Sequence, residues 1–344
     1  MLVLGIESTC DETAIAVVES GKKILSNVIE SQTDIHSAYG GVFPEIASRH
    51  HVEKLIPTLE KALNEANVSL IDIDLIAVAY GPGLLGSLVT GVQFAKSLSF
   101  ATKKPIVGVN HVEAHLYSAM MATNDIINFP VMGVIISGGH THLVKMQNYN
   151  SFEIIGCTQD DAIGEAFDKV GSLLGLPYPA GPHIESLAKQ GNPNYFTFKA
   201  GQIKNNPFDF SYSGLKTQVL YAVKGTSQKE GLKILNESDK PHLAASFQKT
   251  AFSDLIQKIF KAAETHKLQQ IFLGGGVSNN CYLRQELTKL APPNLKIYFP
   301  EPKLTLDNGA MIAGLGYQKF IYKGEENLHK ILPVSRPPFS TEKS

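Results

Sequence analysis

The apolar positions of the first thirty residues fall into three runs, "LVLGIES" (2–8), "TAIAVVES" (13–20) and "KILSNVIES" (23–31). Each is rich in β-branched residues and bounded by polar or glycine turns, which predicts an antiparallel meander. From residue 44 the period lengthens. In "PEIASRHHVEKLIPTLEKALNEAN" (44–67), Ile46, Leu55, Leu59 and Leu63 recur at helical intervals, and Pro57 is expected to kink or divide the helix. Residues 74–111, "DLIAVAYGPGLLGSLVTGVQFAKSLSFATKKPIVGVNH", then read strand, glycine turn, long helix, strand, the alternation of a parallel βαβ unit. That helix is apolar on most faces, so both helices are expected to be deeply buried or shared with another chain.

At residue 129 the pattern restarts. "FPVMGVIISGGHTHLVKM" repeats the strand, tight turn, strand order of "MLVLGIESTCDETAIAVV", and "QIFLGGGVSNN" (270–280) answers "LIAVAYGPGLLGS" (75–87). Duplication at this scale predicts an α/β protein of two related lobes, 1–128 and 129–325, facing one another across a ligand cleft. Residues 183–245 break the correspondence with polar, aromatic, turn-rich segments, and an insertion on the second lobe is expected there. Within it 224–240 is the expected mobile loop, and 326–344 an expected weakly ordered tail.

Charge and composition narrow the partners. With 31 basic and 32 acidic residues among 344, the net charge is −1, so any contact with RNA must be local or shared with another chain. Cys10, Cys157 and Cys281 are widely scattered and form no CxxC pair, which favours reduced thiols in a cytoplasmic protein. The start lacks a charged n-region, and no apolar run approaches the ~18 residues of a membrane span, so no membrane association is expected.

Four glycine-containing turns follow apolar strands: "GIESTCDET" (5–13), "YGPGLLGS" (80–87), "ISGGHTH" (136–142) and "LGGGVSNN" (273–280). Glycine permits close backbone approach, so successive N–H groups can converge on an anion. One such turn means little, but four at corresponding places in two repeated lobes favour a phosphate-bearing ligand. None matches GxxxxGK[ST] or GxGxxG, and the pattern suits an actin-like nucleotide cleft. In "HVEAH" (111–115) two histidines stand at i and i+4, one helical turn apart, a spacing that lets two imidazoles chelate a transition metal. A capped helix start is the alternative. Glu113 lies roughly 200° around the helix from either histidine, unlike the glutamate of HExxH, which argues against a zincin peptidase.

Taken in order, "GIESTCDET", "GGVFPEIASRHH", "GPGLLGSL", "NHVEAHLYS", "ISGGHT", "GEAFDKVGSLLGLPYPAGPHIE", "FSYSGLKT", "GGGVSNN" and "LDNGAMIA" resemble the TsaD (Gcp) family of tRNA threonylcarbamoyladenosine biosynthesis proteins. The family was formerly described as O-sialoglycoprotein endopeptidase. The resemblance spans residues 2 to about 320 and departs in detail: "ESTCDET" stands for the common ETSCDET, and "PAGP" for PGGP. It implies the actin-like ATPase (ASKHA) fold and a metal, Fe(2+) or Zn(2+), on His111, His115 and Asp307. On its own, Asp307 reads as the N-cap of the last helix. The substrate shell carried over by the resemblance is Ile135, Ile136, Ser137, Gly138 and Gly139, then Asp168 on the ribose, Gly181, Glu185 in support, and Asn280 as helix cap or reader of the adenosine.

The implied reaction moves the threonylcarbamoyl group of threonylcarbamoyl-AMP to the exocyclic amine of the adenosine beside the anticodon in tRNAs reading ANN codons, with release of AMP. Such acyl-type chemistry needs a stabiliser of carbonyl charge, a phosphate cradle and a proton acceptor. Asp11 is the candidate for the last, with a turn-forming Asx residue as its alternative and Glu12 as the weaker choice. The resemblance also implies a paralogous partner (TsaB) docked on the first-lobe helices, a P-loop ATPase (TsaE) and an upstream synthase (TsaC). A small-molecule kinase of the same fold, a metallopeptidase and a nucleotide-binding scaffold are the competing readings. Kinases of that architecture have no need of a His/His/Asp set.

Overall fold

β1 (Leu2–Glu7), β2 (Glu12–Glu19) and β3 (Lys23–Ser31) form the expected antiparallel meander, Leu2 lying opposite Glu19 and Glu12 opposite Ser31, with one register shift against β3 between Val17 and Val18. The computed structural model describes residues 1–37, 42–224 and 235–340, and the chain divides into two units. Unit 1 comprises Met1–Phe129, Met146–Glu153 and Pro300–Ser344; unit 2 comprises Pro130–Lys145 and Ile154–Phe299.

In unit 1 the meander is followed by α1 (Thr33–Ser37), α2 (Pro44–Ala66), β4 (Leu75–Gly81), α3 (Leu85–Thr102), β5 (Ile106–Asn110) and α4 (His111–Met121). The sheet order is β3-β2-β1-β4-β5, with β4 parallel to both β1 and β5. Unit 2 repeats this plan with β6 (Val131–Ile136), β7 (Thr141–Asn148), β8 (Ser151–Cys157), α5 (Ile163–Leu173), α6 (Gly181–Ala188), α7 (Ser213–Lys224), α8 (Lys240–Thr265), β9 (Gln270–Gly274), α9 (Cys281–Leu290) and β10 (Lys296–Tyr298). Its order, β10-β9-β6-β7-β8, is that of the first sheet read backwards, three consecutive strands with two parallel crossover strands beyond the first of them. The tip of the β7–β8 segment, Met146–Glu153, groups with unit 1.

Each sheet carries its own core. In unit 1, Ile6, Val17 and Val78 pack with Leu55 and Leu59 of α2 and Val92 and Ala95 of α3; in unit 2, Met132 and Val134 pack with Phe167 of α5 and Phe247 and Phe252 of α8. Burying each of these side chains other than Ala95 stabilises its unit by ~1.5–3 kcal/mol. Pro57 does not divide α2. It sits on the exposed face, where the carbonyl of Glu53 that loses its helical donor belongs to an exposed residue. On α2 the exposed apolar residues lie off the Leu55–Leu59 stripe that the sequence offered, whereas on α3 exposed apolar residues are present as expected of a helix apolar on most faces. Leu55 and Leu59 are core, while Val52 and Ile56 of α2 and Leu85 and Val89 of α3 are exposed.

The last helix, α10 (Gly309–Lys323), lies in unit 1 and packs on β1 and β2, although its sequence position placed it with the second lobe. The reason is Gly5. A Cβ there would stand 2.2 Å from Gly309 O and 2.5 Å from Ala313 N, so the strand residue must be glycine for the helix backbone to lie on it. Gly5 is thus a strand glycine rather than part of a phosphate turn. The segment after α10, expected to be weakly ordered, is tied into unit 1: Glu326 N donates to Ile106 O at 3.0 Å, Val334 N to Tyr80 O at 2.9 Å and Phe152 N to Ser340 O at 2.8 Å. Of the expected mobile loop, 225–234 lie outside the described residues, and Glu237–Asp239 forms a short 3-10 turn leading into α8.

Candidate functional site

The polar end of β5 starts the helix that carries the histidine pair. Asn110 Oδ1 accepts from Val112 N at 3.0 Å and Glu113 N at 3.3 Å, capping α4 so that His111 is its first residue. The capped helix start is thus present, and the cap sets the helix that presents the histidine pair. His111 and His115 stack edge to face with centroids 4.7 Å apart, and both are buried. Their Nε2 atoms point at one oxygen, Asp307 Oδ1, at 3.4 Å and 3.1 Å. Asp307 comes from the turn before α10, whose N-cap is Asn308 and not Asp307, Asn308 Oδ1 accepting from Met311 N at 3.0 Å. With the cap supplied by its neighbour, the Asp307 carboxylate is directed at the imidazoles.

Two imidazole nitrogens and a carboxylate oxygen within 4.8 Å of one another could hold a metal ion. The surroundings fit a cation. Glu7, fully buried at the end of β1, accepts from His111 Nδ1 at 2.8 Å, the carboxylate–histidine arrangement that aims Nε2 at a metal. Burial alone would lower the His111 pKa, but the charges of Glu7 and Asp307 outweigh it and push it up to about 9. Burial, then Asp307, Asp11 and Glu7, push Glu12 up to about 10. Burial and the same carboxylates also push the Cys10 thiol up. Protons are therefore gathered by a concentration of negative charge that a divalent cation would neutralise.

Glu7 was not foreseen; the only trace of it in the sequence is a charged residue closing an otherwise apolar strand. His51 was also missed. Its Nδ1 lies 2.7 Å from Thr13 Oγ1 and its Nε2 3.0 Å from Cys10 O, so it holds the turn that carries Asp11 and Glu12. Asp11 is half-buried in that turn, and its carbonyl accepts from Gln32 N at 3.0 Å. Glu113 points away from the triad into an ion pair with Lys319 at 3.0 Å, where it cannot play the water-activating role of a zincin glutamate.

The residues expected around an adenylate all lie in unit 2, and the fold links them. Ile135 and Ile136 end β6 with side chains wholly in the core, so only their backbone can face a ligand. Ser137, Gly138 and Gly139 form the following turn, closed by Ser137 N donating to His140 O at 2.9 Å, and both glycines face open space. Ser137 O accepts from Gly164 N at the start of α5. Gly275, at φ +90°, brings the last glycine turn against the same strand end; a Cβ would stand 2.4 Å from Ile136 O. Asp168 on α5 is half-buried, and its Oδ1 accepts from Ala180 N at 2.7 Å, just before Gly181 opens α6. Burial raises its pKa, Glu165 adds to this, and the Ala180 bond opposes it. Glu185 on α6 accepts from Cys281 N at 3.0 Å, beside Asn280. The Asn280 amide is engaged at both ends, accepting from Leu283 N at 3.0 Å as the cap of α9 and donating to Gln248 Oε1 at 3.1 Å.

Residues 23–314 match the family model described as TsaD: tRNA N6-adenosine threonylcarbamoyltransferase. The chain belongs to the TsaD family. Its curated relatives include the tRNA N6-adenosine threonylcarbamoyltransferase of Protochlamydia amoebophila (strain UWE25), 51% identical over 343 residues and 100% of both chains. That of Chlamydia felis (strain Fe/C-56) is 49% identical over 98% of this chain and 96% of its own. Among solved structures, full-length HypF in its phosphate- and nucleotide-bound form aligns with a TM-score of 0.61 at 16% identity, covering 94% of this chain and 56% of HypF. The Acidaminococcus fermentans (R)-2-hydroxyglutaryl-CoA dehydratase component A aligns with a TM-score of 0.52 at 13% identity, covering 93% of this chain and 98% of that one. At such identities the likeness shows the fold alone, the actin-like ATPase type.

Proposed function

We propose that the chain transfers the threonylcarbamoyl group of threonylcarbamoyl-AMP to N6 of the adenosine beside the anticodon in tRNAs reading ANN codons, releasing AMP. Family membership makes it a transferase acting on tRNA adenosine. The observation that carries the mechanism is the convergence of both histidine Nε2 atoms on Asp307 Oδ1 in a buried, carboxylate-rich pocket. His111, His115 and Asp307 hold one Fe(2+) or Zn(2+), an ion that supplies Lewis acidity for carbonyl charge on the acyl group. Glu7 fixes the His111 tautomer. Asp11, in the turn that His51 holds through Cys10 O, takes the proton from the attacking amine.

In unit 2, Gly138 and Gly139 of the turn offer backbone N–H groups to phosphate, Asp168 accepts from the ribose hydroxyls, and Gly181 leaves room beside it. Glu185 and Asn280 hold the start of α9 in place, which supports a positioning role for the Asn280 side chain rather than direct reading of the base. A TsaB-like paralogue docks on the exposed residues of α2 and α3, and TsaE and TsaC serve the cycle and supply the donor. Among the described residues no helix is long and apolar enough to cross a membrane, and we place the activity in the cytoplasm. The test is to incubate the chain with threonylcarbamoyl-AMP, its partners and an ANN-decoding tRNA, then digest the tRNA and weigh its nucleosides. Threonylcarbamoyladenosine, absent without the chain, is the expected product; AMP release without modified nucleoside would instead mark a hydrolase.

A further inference from the structure

Glu113 stands between the two histidines yet takes no part in the triad. It is fully buried: its Oε2 accepts from Lys319 Nζ at 3.0 Å and Ser340 Oγ at 3.1 Å, and its Oε1 from Ser340 N at 2.5 Å. Lys319, itself buried, also donates to Ser340 Oγ at 3.2 Å. A carboxylate and an ammonium withdrawn from water are costly unless well paired and hydrogen-bonded, and removing one partner leaves the other charge buried and uncompensated.

The elements joined here are the ones that carry the metal ligands. His111 and His115 ride on α4, and Asp307 immediately precedes α10, the helix of Lys319. Side chains two apart on a helix point roughly 200° apart, so α4 is held on one face through the histidines and on the other through Glu113. Gly314 lets the two helices approach closely, since a Cβ there would lie 2.5 Å from Tyr117 Cε1. The chain end completes the grip. Ser335 O accepts from Gly83 N at 3.2 Å, Pro338 O from Asn110 Nδ2 at 3.3 Å, and Ser340 bonds Glu113, so the last described residues touch both the cap and the second face of the metal-binding helix.

We propose that Glu113, Lys319 and Ser340 form a positioning network for the metal triad, setting the rotation of α4 against α10 and making the C-terminal segment a structural part of the site. This rests on the assignment of the triad as a metal site. The test uses the full chain, Glu113→Gln, a chain ending at Pro338, and Leu255→Ala in the unit 2 core as a control for general destabilisation. Zinc affinity is read by chelator competition, and ligand geometry by the visible absorption of the cobalt-loaded protein. Loss of a supporting residue around a metal typically weakens binding roughly 10–100-fold, and Glu113→Gln and the shortened chain are expected in that range with displaced cobalt bands. The control should melt earlier with unchanged affinity and bands. If Glu113→Gln fails to fold, the shortened chain decides, because it leaves both buried charges in place. Wild-type affinity and spectrum in the shortened chain and in a folded Glu113→Gln protein overturn the proposal. A wild-type chain that binds neither zinc nor cobalt overturns the metal assignment itself, and this inference with it.

Discussion

Glu7→Gln isolates the orientation of His111 from its position. The carboxylate accepts at both oxygens, from Thr9 N at 2.7 Å and from His111 Nδ1 at 2.8 Å. A metal-bound imidazole must therefore carry its proton on Nδ1 and present the Nε2 lone pair toward Asp307. Glutamine has one accepting oxygen. If that oxygen stays on the Thr9 N–H, the NH2 faces Nδ1, and the proton moves to Nε2, the tautomer that cannot ligate. If the amide turns round, two N–H groups meet in a buried space. A hydrogen bond to a charged group contributes ~1.5–3 kcal/mol, and a lost supporting carboxylate costs metal sites ~10–100-fold, or ~1.4–2.7 kcal/mol. The two estimates overlap, so zinc Kd should rise roughly 10–100-fold. Competition with a chromogenic chelator measures this, with thermal melting in EDTA confirming that the variant folds. An unchanged Kd in a folded Glu7→Gln protein would refute the orienting role.

The other predictions probe separate parts of the account. Gly5→Val should push α10 off β1 at a cost of ~1–3 kcal/mol and carry Asp307 with it, so that elemental analysis finds the metal lost; full metal content would show that the helix can shift without disturbing the site. Asp168→Ala should weaken adenylate binding by ~1–3 kcal/mol in calorimetry without unfolding the chain, and equal affinity would remove Asp168 from the subsite. Burial opposes ionisation of Asp161, but the ammonium groups of Lys169 at 2.6 Å and Lys216 at 2.8 Å outweigh it and hold its pKa below the usual aspartate value. A lowered folded pKa means stability present above the unfolded pKa and lost as pH falls through the folded one. Asp161→Asn should therefore lower the urea midpoint at neutral pH, with the gap to wild type closing in strong acid; a gap independent of pH would exclude the ion pairs as its source. Val52→Glu with Ile56→Glu should abolish association with the paralogous partner in sedimentation while adenylate binding persists, and a surviving complex would move the partner surface elsewhere.

Periodicity made the repeated lobes legible, because strands of period two and glycine turns recur in the same order in both halves. It failed where one glycine serves long-range packing. Gly5 looks like its neighbours in a turn motif, but its partner is the backbone of α10, more than 300 residues away in the chain, so no local pattern could assign that helix to unit 1. The histidine pair was readable because i, i+4 spacing is itself geometry. Asp307 was not: spacing offered it as a helix cap, a place that Asn308 takes, and only the tertiary arrangement brings Asp307 to the histidines. Glu7 and Lys319 are single charges in apolar stretches, whose partners appear only when strand, helix and chain end are brought together. Leu59 and Ile56 show the same limit for surfaces, since a helix apolar on several faces does not reveal which face is core.

The most direct measurement is a metal titration read as product. The full chain, stripped of metal and supplied with threonylcarbamoyl-AMP, its partners and an ANN-decoding tRNA, receives increasing Fe(2+) or Zn(2+), and the threonylcarbamoyladenosine formed is quantified by mass spectrometry. The account predicts almost none without metal, a rise to a plateau at about one ion per chain, and no such rise for His111→Ala, His115→Ala or Asp307→Ala. Full product from the stripped chain, or an equal plateau in those variants, would contradict it.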